Sequence, residues 1–287
     1  MFCAARRRAS WHAAAPIVQS WRMRFATWNV NSVKARLPRL LGWLESAQPD
    51  VVCLQETKVA ADAFPAEQVE ALGYRVAAHG QGRWNGVALL SRVGLTQVRR
   101  GFPGEPGFPG PEARAIGATC GGVRFLSVYV PNGRTPDDPH YAYKLSWLAA
   151  LRTALADDVP RGALVVAGDF NVAPTDDDVW DPAVFAGATH VTPPERDALT
   201  ALRDLGLRDV VGRPLKGDRP FTYWDYRAGM FHQNKGMRID LVLATPDVAD
   251  AVDDAVVDRE ARKGSGPSDH APIVVDASGL GTPSAGS

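Results

Sequence analysis

The segment Ala163-Leu164-Val165-Val166-Ala167-Gly168-Asp169-Phe170-Asn171 constrains this chain more than any other stretch. Its run of small and β-branched apolar residues predicts a strand buried on both faces, which Gly168 ends. A carboxylate and a carboxamide follow, two positions apart. In extended backbone such residues point the same way, so Asp169 and Asn171 are expected to reach one spot. A charge at the mouth of a buried strand is costly unless it is paired, hydrated or metal-bound. Asp and Asn also start turns after strands, so this pair alone leaves a turn and a reactive site both open.

With 287 residues the chain has room for one large α/β domain or two smaller ones. No apolar run is long enough to span a membrane. Formal net charge is zero, so attraction for a polyanion has to come from charge distribution. That distribution is uneven: residues 1–44 hold no acid but include Arg6, Arg7, Arg8, Arg22, Arg24, Lys34, Arg36 and Arg39. Cys3, Cys53 and Cys120 are too few and too scattered for a disulfide framework or a zinc site, which fits a reducing cytoplasm.

Residues 1–22 lack strand or helix periodicity, and the globular pattern begins at Met23. They are expected to be a leader, from an upstream start or a tag, with a basic arm or a transit peptide as alternatives. A single domain is expected over residues 23–276, followed by a Gly/Ser/Pro-rich disordered tail at 277–287.

Strand-like runs fall at Arg24–Trp28, Val51–Leu54, Gly86–Ser91, Arg124–Val130, Ala163–Ala167, Ile239–Ala244 and Pro272–Asp276. Amphipathic helical stretches fall at Leu37–Ser46, Ala66–Leu72, Tyr141–Ala156 and Pro194–Leu205. Helices do not separate every pair of strands, which argues against a simple doubly wound sheet. A mixed sheet, or two sheets face to face with helices outside, fits better. The stretch from Gly101 to Pro111 reads as a surface loop between strands.

Polar groups cluster where these strands end. Asn29 and Asn31 follow the first, Gln55, Glu56 and Lys58 the second, Tyr129 and Asn132 the fourth, and Asp169 and Asn171 the fifth. Asp240 enters the sixth, and Asp269 and His270 precede the last. Residues at strand ends in α/β folds line one crevice. Each also has a plain structural use: Asn29 and Asn31 as turn formers, Tyr129 as a core aromatic, Asp240 as a partner of Arg238. The other histidines, His12, His79, His140, His190 and His232, read as surface or loop residues.

Together these types suit metal-assisted hydrolysis of a phosphate ester. Carboxylate and amide oxygens are the ligands magnesium prefers, and a His with a carboxylate partner can act as cation or acid. Neither a phosphate-binding Gly-rich loop nor a nucleophile elbow is present, so triphosphate motors and serine catalysis have no support.

Trp28-Asn-Val-Asn31, Leu54-Gln-Glu-Thr-Lys58, Tyr129-Val-Pro-Asn-Gly133, Gly168-Asp-Phe-Asn171, Arg238-Ile-Asp240 and Ser268-Asp-His-Ala-Pro272 also form a recognisable set in order. Over residues 23–276 the chain resembles the exonuclease III family of abasic-site endonucleases, within the endonuclease/exonuclease/phosphatase superfamily. The resemblance implies a four-layer α/β sandwich, with two mixed β-sheets packed face to face and helices outside. It implies one or two Mg2+ ions, with Mn2+ as a substitute, held by Glu56, Asn29 and Asp269, with Asp169, Asn171 and His270 available to a second ion.

By the same resemblance, Asp169 activates water, Asn171 stabilises charge on phosphorus, and His270 paired with Asp240 contacts the phosphate. Tyr129 adds a hydroxyl and Asn132 a further donor. Lys58 and Arg36 flank the crevice, and Tyr223, Met237 and Ile239 line a pocket for an abasic sugar. Met237 stands where animal relatives carry tryptophan, and Asn31 where they carry aspartate, which points to the bacterial branch. The implied protein is a monomer without membrane contact. It acts on duplex DNA with abasic sites or blocked 3′ ends, as a 3′–5′ exonuclease, abasic-site endonuclease and 3′-end phosphatase. An RNA nuclease or phosphoinositide phosphatase of the same superfamily, or a catalytically silent DNA-binding protein, are the competing readings.

Overall fold

Strict alternation of side chains along the strands divides the interior into three apolar layers. A computed structural model describes residues 22–280. Its strands are β1 (Arg22–Asn29), β2 (Val51–Gln55), β3 (Arg75–His79), β4 (Val87–Ser91), β5 (Thr96–Arg100), β6 (Ala115–Cys120) and β7 (Val123–Tyr129). They continue with β8 (Leu164–Asp169), β9 (Arg208–Asp209), β10 (Arg213–Pro214), β11 (Asp240–Ala244), β12 (Val252–Val257) and β13 (Ile273–Ser278). The main helices are α1 (Val33–Ala47), α2 (Ala66–Glu70), α3 (Pro139–Asp158), α4 (Pro182–Phe185), α5 (Pro193–Arg203) and α6 (Pro246–Asp250).

One sheet has the order β10-β12-β13-β1-β2-β4-β3, the other β5-β6-β7-β8-β11-β9. Both are mixed: β1 and β2 run parallel, as do β7 and β8, while β13 and β11 run antiparallel to their neighbours β1 and β8. Phe25, Cys53, Leu89, Phe125, Val165, Val242 and Val275 meet between the sheets. On the opposite faces, Ala26, Trp28, Val52 and Leu54 pack against Leu40, Trp43 and Leu44 of α1. Val128, Val166, Leu241 and Leu243 pack against Trp147, Leu151 and Leu155 of α3 and Leu199 and Leu202 of α5. The result is the expected helix–sheet–sheet–helix order.

Two expected boundaries move. Arg22 belongs to β1, opposite Ser278, and its guanidinium lies 3.3 Å from Asp276. Ala277 and Ser278, assigned to the tail from composition, are strand residues, and Leu280 is buried. Antiparallel pairing of β1 with β13 extends both strands, because each supplies the other's hydrogen bonds. Residues 1–21 and 281–287, which hold the rest of the expected leader and tail, lie outside the described residues. No helix among the described residues is long and apolar enough to cross a membrane.

Candidate active site

The side-chain alternation that fills the gap between the sheets also aims the polar residues at its open end. Phe25, Val165 and Val242 face that gap, so the period of two directs Asn29, Asp169 and Asp240 into the same space. A polar layer closes the floor. Gln55 donates to Ser127 Oγ at 3.0 Å and accepts from Thr27 Oγ1 at 3.2 Å, all three buried. Asp169 and Asp240 are cross-strand partners in the β8–β11 ladder.

The Asn29 amide nitrogen donates to Glu56 Oε1 at 2.8 Å and to Asp169 Oδ2 at 2.9 Å. Glu56 leaves β2 in a left-handed conformation, φ 51°. Its Oε2 lies 2.6 Å from Lys58 Nζ. His270 Nδ1 lies 2.8 Å from Asp240 Oδ2, which makes Nδ1 the donor and turns Nε2 toward Asp169 Oδ2, 3.9 Å away. Glu56, Asp169 and His270 each present a ligand atom within 4.8 Å of the others.

These neighbours set the charges. Burial lowers the basicity of His270, but the Asp240 charge and hydrogen bond, with Asp169 and Asp269 nearby, outweigh it and raise its pKa to about 10. Asp169 is pushed up to about 7, chiefly by burial and by the charges of Asp240 and Glu56 acting against His270. Burial also opposes ionisation of Glu56, yet Lys58 and Asn29 hold it below the usual carboxylate range. Tyr129 is raised well above its ordinary value by burial and the adjacent Glu56, so its hydroxyl keeps its proton. Three acids thus differ in environment: an ionised Glu56, an Asp240 bonded to the imidazole and an Asp169 of raised basicity.

Asn171 is near Asp169 for a different reason than strand alternation. The strand stops at Asp169, and Asn171 turns into the left-handed region, φ 52°, with its N–H donating to Asp169 Oδ1 at 2.9 Å. Extended backbone through residue 171 is therefore corrected: the carboxylate itself caps the turn. Asn132 donates from Nδ2 to Asn171 Oδ1 at 3.1 Å, and Asn171 Nδ2 donates to Val130 O at 3.0 Å. Asp269 stands one step outside the cluster and joins it by accepting from Asn31 Nδ2 at 3.0 Å.

Lys58 points inward at Glu56 and at Asn31 Oδ1, 2.5 Å away. Arg36 lies on the rim, donating to Tyr226 Oη at 2.9 Å. Met237 and Ile239 are buried in one apolar cluster with Ala173 and Val179, against which Tyr223 packs. The Tyr223 ring centroid is 5.0 Å from that of His270, so this apolar cluster abuts the polar one. Arg238 pairs with Asp178 and Asp209 rather than with Asp240.

The pattern reading missed a buried group behind the two asparagines. Lys144 on α3 and Glu195 on α5 form an ion pair with both side chains fully buried. His190, read as a loop residue, bonds the Asn171 carbonyl through Nδ1 at 2.6 Å. His140, read the same way, is buried and accepts from Gly133 N–H at 3.3 Å. The available signal was the Thr192…Glu195 spacing of a capping box, which the structure forms at the start of α5.

Comparisons with known proteins agree with this architecture. A family model described as the endonuclease/exonuclease/phosphatase family matches residues 26–270. An exodeoxyribonuclease III of Haemophilus influenzae is 34% identical over 268 residues, covering 88% of this chain and 98% of that protein. Among solved structures, a 3′ phosphatase from Neisseria bound to a product DNA hairpin is 40% identical, with a TM-score of 0.84 over 88% of this chain and 98% of that one. An AP endonuclease from Archaeoglobus fulgidus is 36% identical, with a TM-score of 0.83 over the same shares.

Proposed function

The chain belongs to the endonuclease/exonuclease/phosphatase family, and from that premise we propose that it is a metal-dependent DNA repair nuclease of the exodeoxyribonuclease III type. Its substrates are duplexes with abasic sites, blocked 3′ ends or recessed 3′ ends, which it cuts as endonuclease, phosphatase and 3′–5′ exonuclease. The observation that carries this reading is the meeting of Glu56, Asp169 and His270 within 4.8 Å, with Asp240 bonded to the imidazole.

The donor set fits a hard divalent cation. Glu56 is ionised and already holds the Lys58 ammonium at 2.6 Å, and Asp269 supplies a further carboxylate oxygen through Asn31. Asn29 instead turns its amide nitrogen to Glu56 and Asp169 and its oxygen to Asn31 N–H. Magnesium, with manganese as a substitute, would be held by Glu56 and Asp269, joined by Asn29 once its amide turns to present Oδ1, and would supply Lewis-acid stabilisation of phosphate charge. Asp169 accepts the proton of the attacking water. Asn171 and Asn132 present amide donors to the oxygens of the phosphate. His270, kept cationic by Asp240, faces the same charge, and the Tyr129 hydroxyl donates to the phosphate or to the departing oxygen. Lys58 and Arg36 neutralise phosphates beside the site, and Tyr223, Met237 and Ile239 provide the apolar surface for a base-free sugar.

The test is a pair of duplexes, one with a single abasic analogue and one with a 3′ phosphate at a recessed end, each incubated with magnesium or with EDTA. Metal-dependent incision 5′ of the lesion or release of the 3′ phosphate is expected, and the ratio of the two rates gives the balance of activities. Binding without cleavage on both duplexes, or cleavage of RNA or a phosphoinositide alone, would overturn the reading.

A further inference from the structure

Among the described residues, the Lys144–Glu195 pair is the most deeply buried ion pair that the chemistry above leaves unused. Both side chains are 0% exposed. An ammonium has three N–H donors, and here each has an acceptor: the carbonyl of Asn132 at 3.1 Å, the carbonyl of Asn171 at 2.6 Å, and Glu195 Oε1. Glu195 is saturated in turn. Its oxygens accept from Thr189 Oγ1 at 2.8 Å, His190 N–H at 3.0 Å, Thr192 N–H at 3.0 Å and Thr192 Oγ1 at 2.7 Å.

Two of those acceptors belong to the asparagines that face the reacting phosphate. Both residues lie just past the ends of β7 and β8, where the strand ladder no longer supplies partners for carbonyl groups. Asn171 is further held in the left-handed region, a conformation that costs energy outside glycine and persists only when its surroundings enforce it. Their side chains bond one another, so fixing both carbonyls fixes the amide pair as a unit. A fully buried ion pair is poor evidence of added stability, since an apolar pair of the same volume often does as well. What an apolar pair cannot supply is the one donor shared by both carbonyls. Without it they keep only separate partners, His190 Nδ1 at 2.6 Å from Asn171 O and the Thr189 hydroxyl at 3.1 Å from Asn132 O.

We infer that Lys144 is a positioning residue, whose buried ammonium clamps the backbones of Asn132 and Asn171 and so aims their side-chain amides at the scissile phosphate. The inference rests on the reading of this site as a phosphodiesterase centre. Glu195 neutralises the ammonium and, through Thr189, His190 and Thr192, ties the segment before α5 to the same clamp. The pair therefore couples three loops on which no strand imposes geometry. Misplacement of a reacting group by about 1 Å can cost on the order of a hundredfold in rate.

The test compares two neutral double variants, Lys144→Met/Glu195→Gln and Lys144→Gln/Glu195→Gln, with wild type on a duplex bearing a recessed 3′ end in magnesium. Neither variant buries a net charge, and only Gln offers N–H donors at position 144. The Met form is expected to lose at least thirtyfold in kcat with KM within threefold. The Gln form should recover at least tenfold of that loss at a similar melting temperature. A Met form within threefold of wild-type kcat, or Met and Gln forms of equal kcat, would overturn the inference. Wild-type protein that leaves this duplex intact would sink the functional reading and the clamp with it.

Discussion

Asp169 on β8 and Asp240 on β11 are direct cross-strand partners, yet only Asp240 bonds His270. Two buried carboxylates facing each other repel, and a single imidazolium cannot pair equally with both. The 2.8 Å contact to Asp240 and the 3.9 Å gap to Asp169 break the symmetry. The first carboxylate is bonded to the imidazole, and the second is left with elevated basicity. A sheet register thus gives two facing carboxylates different partners, which is what the proposed role of Asp169 as base rests on.

Replacing Asp169→Asn removes the proposed base at nearly constant shape, at the loss of one of the two N–H bonds that its oxygens accept from Asn29 and Asn171. The variant is expected to bind duplex DNA within a few-fold of wild type while kcat falls by about two orders of magnitude or more, the range for a lost general base. Single-turnover cleavage alongside fluorescence anisotropy measures both, and near-normal turnover would remove the assigned role.

Asp240→Asn should act through the imidazole. Without its carboxylate partner, His270 keeps the burial that opposes its charge and loses the largest influence favouring it. Its pKa is expected to drop well below 10, and the alkaline limb of the rate profile to move to lower pH with it. Titration of the His270 ring by NMR reads this directly, and an unchanged titration would show that Asp169 and Asp269 suffice.

Glu56→Gln tests the metal assignment. With the ionised oxygen gone, the magnesium concentration for half-maximal rate is expected to rise by about tenfold or more, whereas DNA binding in EDTA should not change. An unaltered magnesium requirement would place the ion elsewhere.

How much of this was legible in sequence depended on where each strand lies in its sheet. β2, β8 and β11 are covered on both faces, so Val51–Leu54, Ala163–Ala167 and Ile239–Ala244 announced themselves as apolar runs. Most strands that were missed are edges or nearly so: β5 is exposed at all five positions, β3 at the other sheet's margin is half-covered, and β12 carries two acids. β6 was missed although buried, because Ala115, Gly117 and Ala118 are residues that strands disfavour. The strand-end residues were readable because a polar group after a buried run has few structural uses. Lys144 was not. On an amphipathic helix a lysine beside Tyr143 looks like a solvated charge, and only the packing of α3 on α5 reveals its burial.

Gly168→Ala probes the strand end that holds Asp169. Gly168 has φ 154°, and a Cβ there would sit 1.9 Å from the carbonyl oxygen of its ladder partner Val128. That obstacle is backbone inside a central strand, so it cannot swing aside. A loss of about 3 kcal/mol or more in unfolding free energy is expected, with kcat reduced even where the protein folds. Denaturant unfolding that shifts by less than about 1 kcal/mol would mean the β7–β8 ladder yields more readily than its register implies.

Glu105 carries the clearest pH dependence of stability away from the site. In the loop between β5 and β6 its Oε1 accepts from Trp147 Nε1 at 3.1 Å, and burial outweighs that bond to raise its pKa from 4.5 to about 7. The folded protein therefore keeps this proton up to about pH 7, whereas the unfolded chain releases it near 4.5. Between those values the folded state binds more protons, so its stability falls as pH rises through the window and levels off above it. The full linkage of that shift is about 3 kcal/mol, and partial exposure of the loop reduces the expected effect to about 2 kcal/mol. Glu105→Gln keeps the acceptor for Trp147 and removes the titration. It is expected to match wild type in unfolding free energy near pH 4.5 and to exceed it by about that amount at pH 8. Equal stabilities at both pH values would show that the carboxylate ionises within the fold as easily as in water.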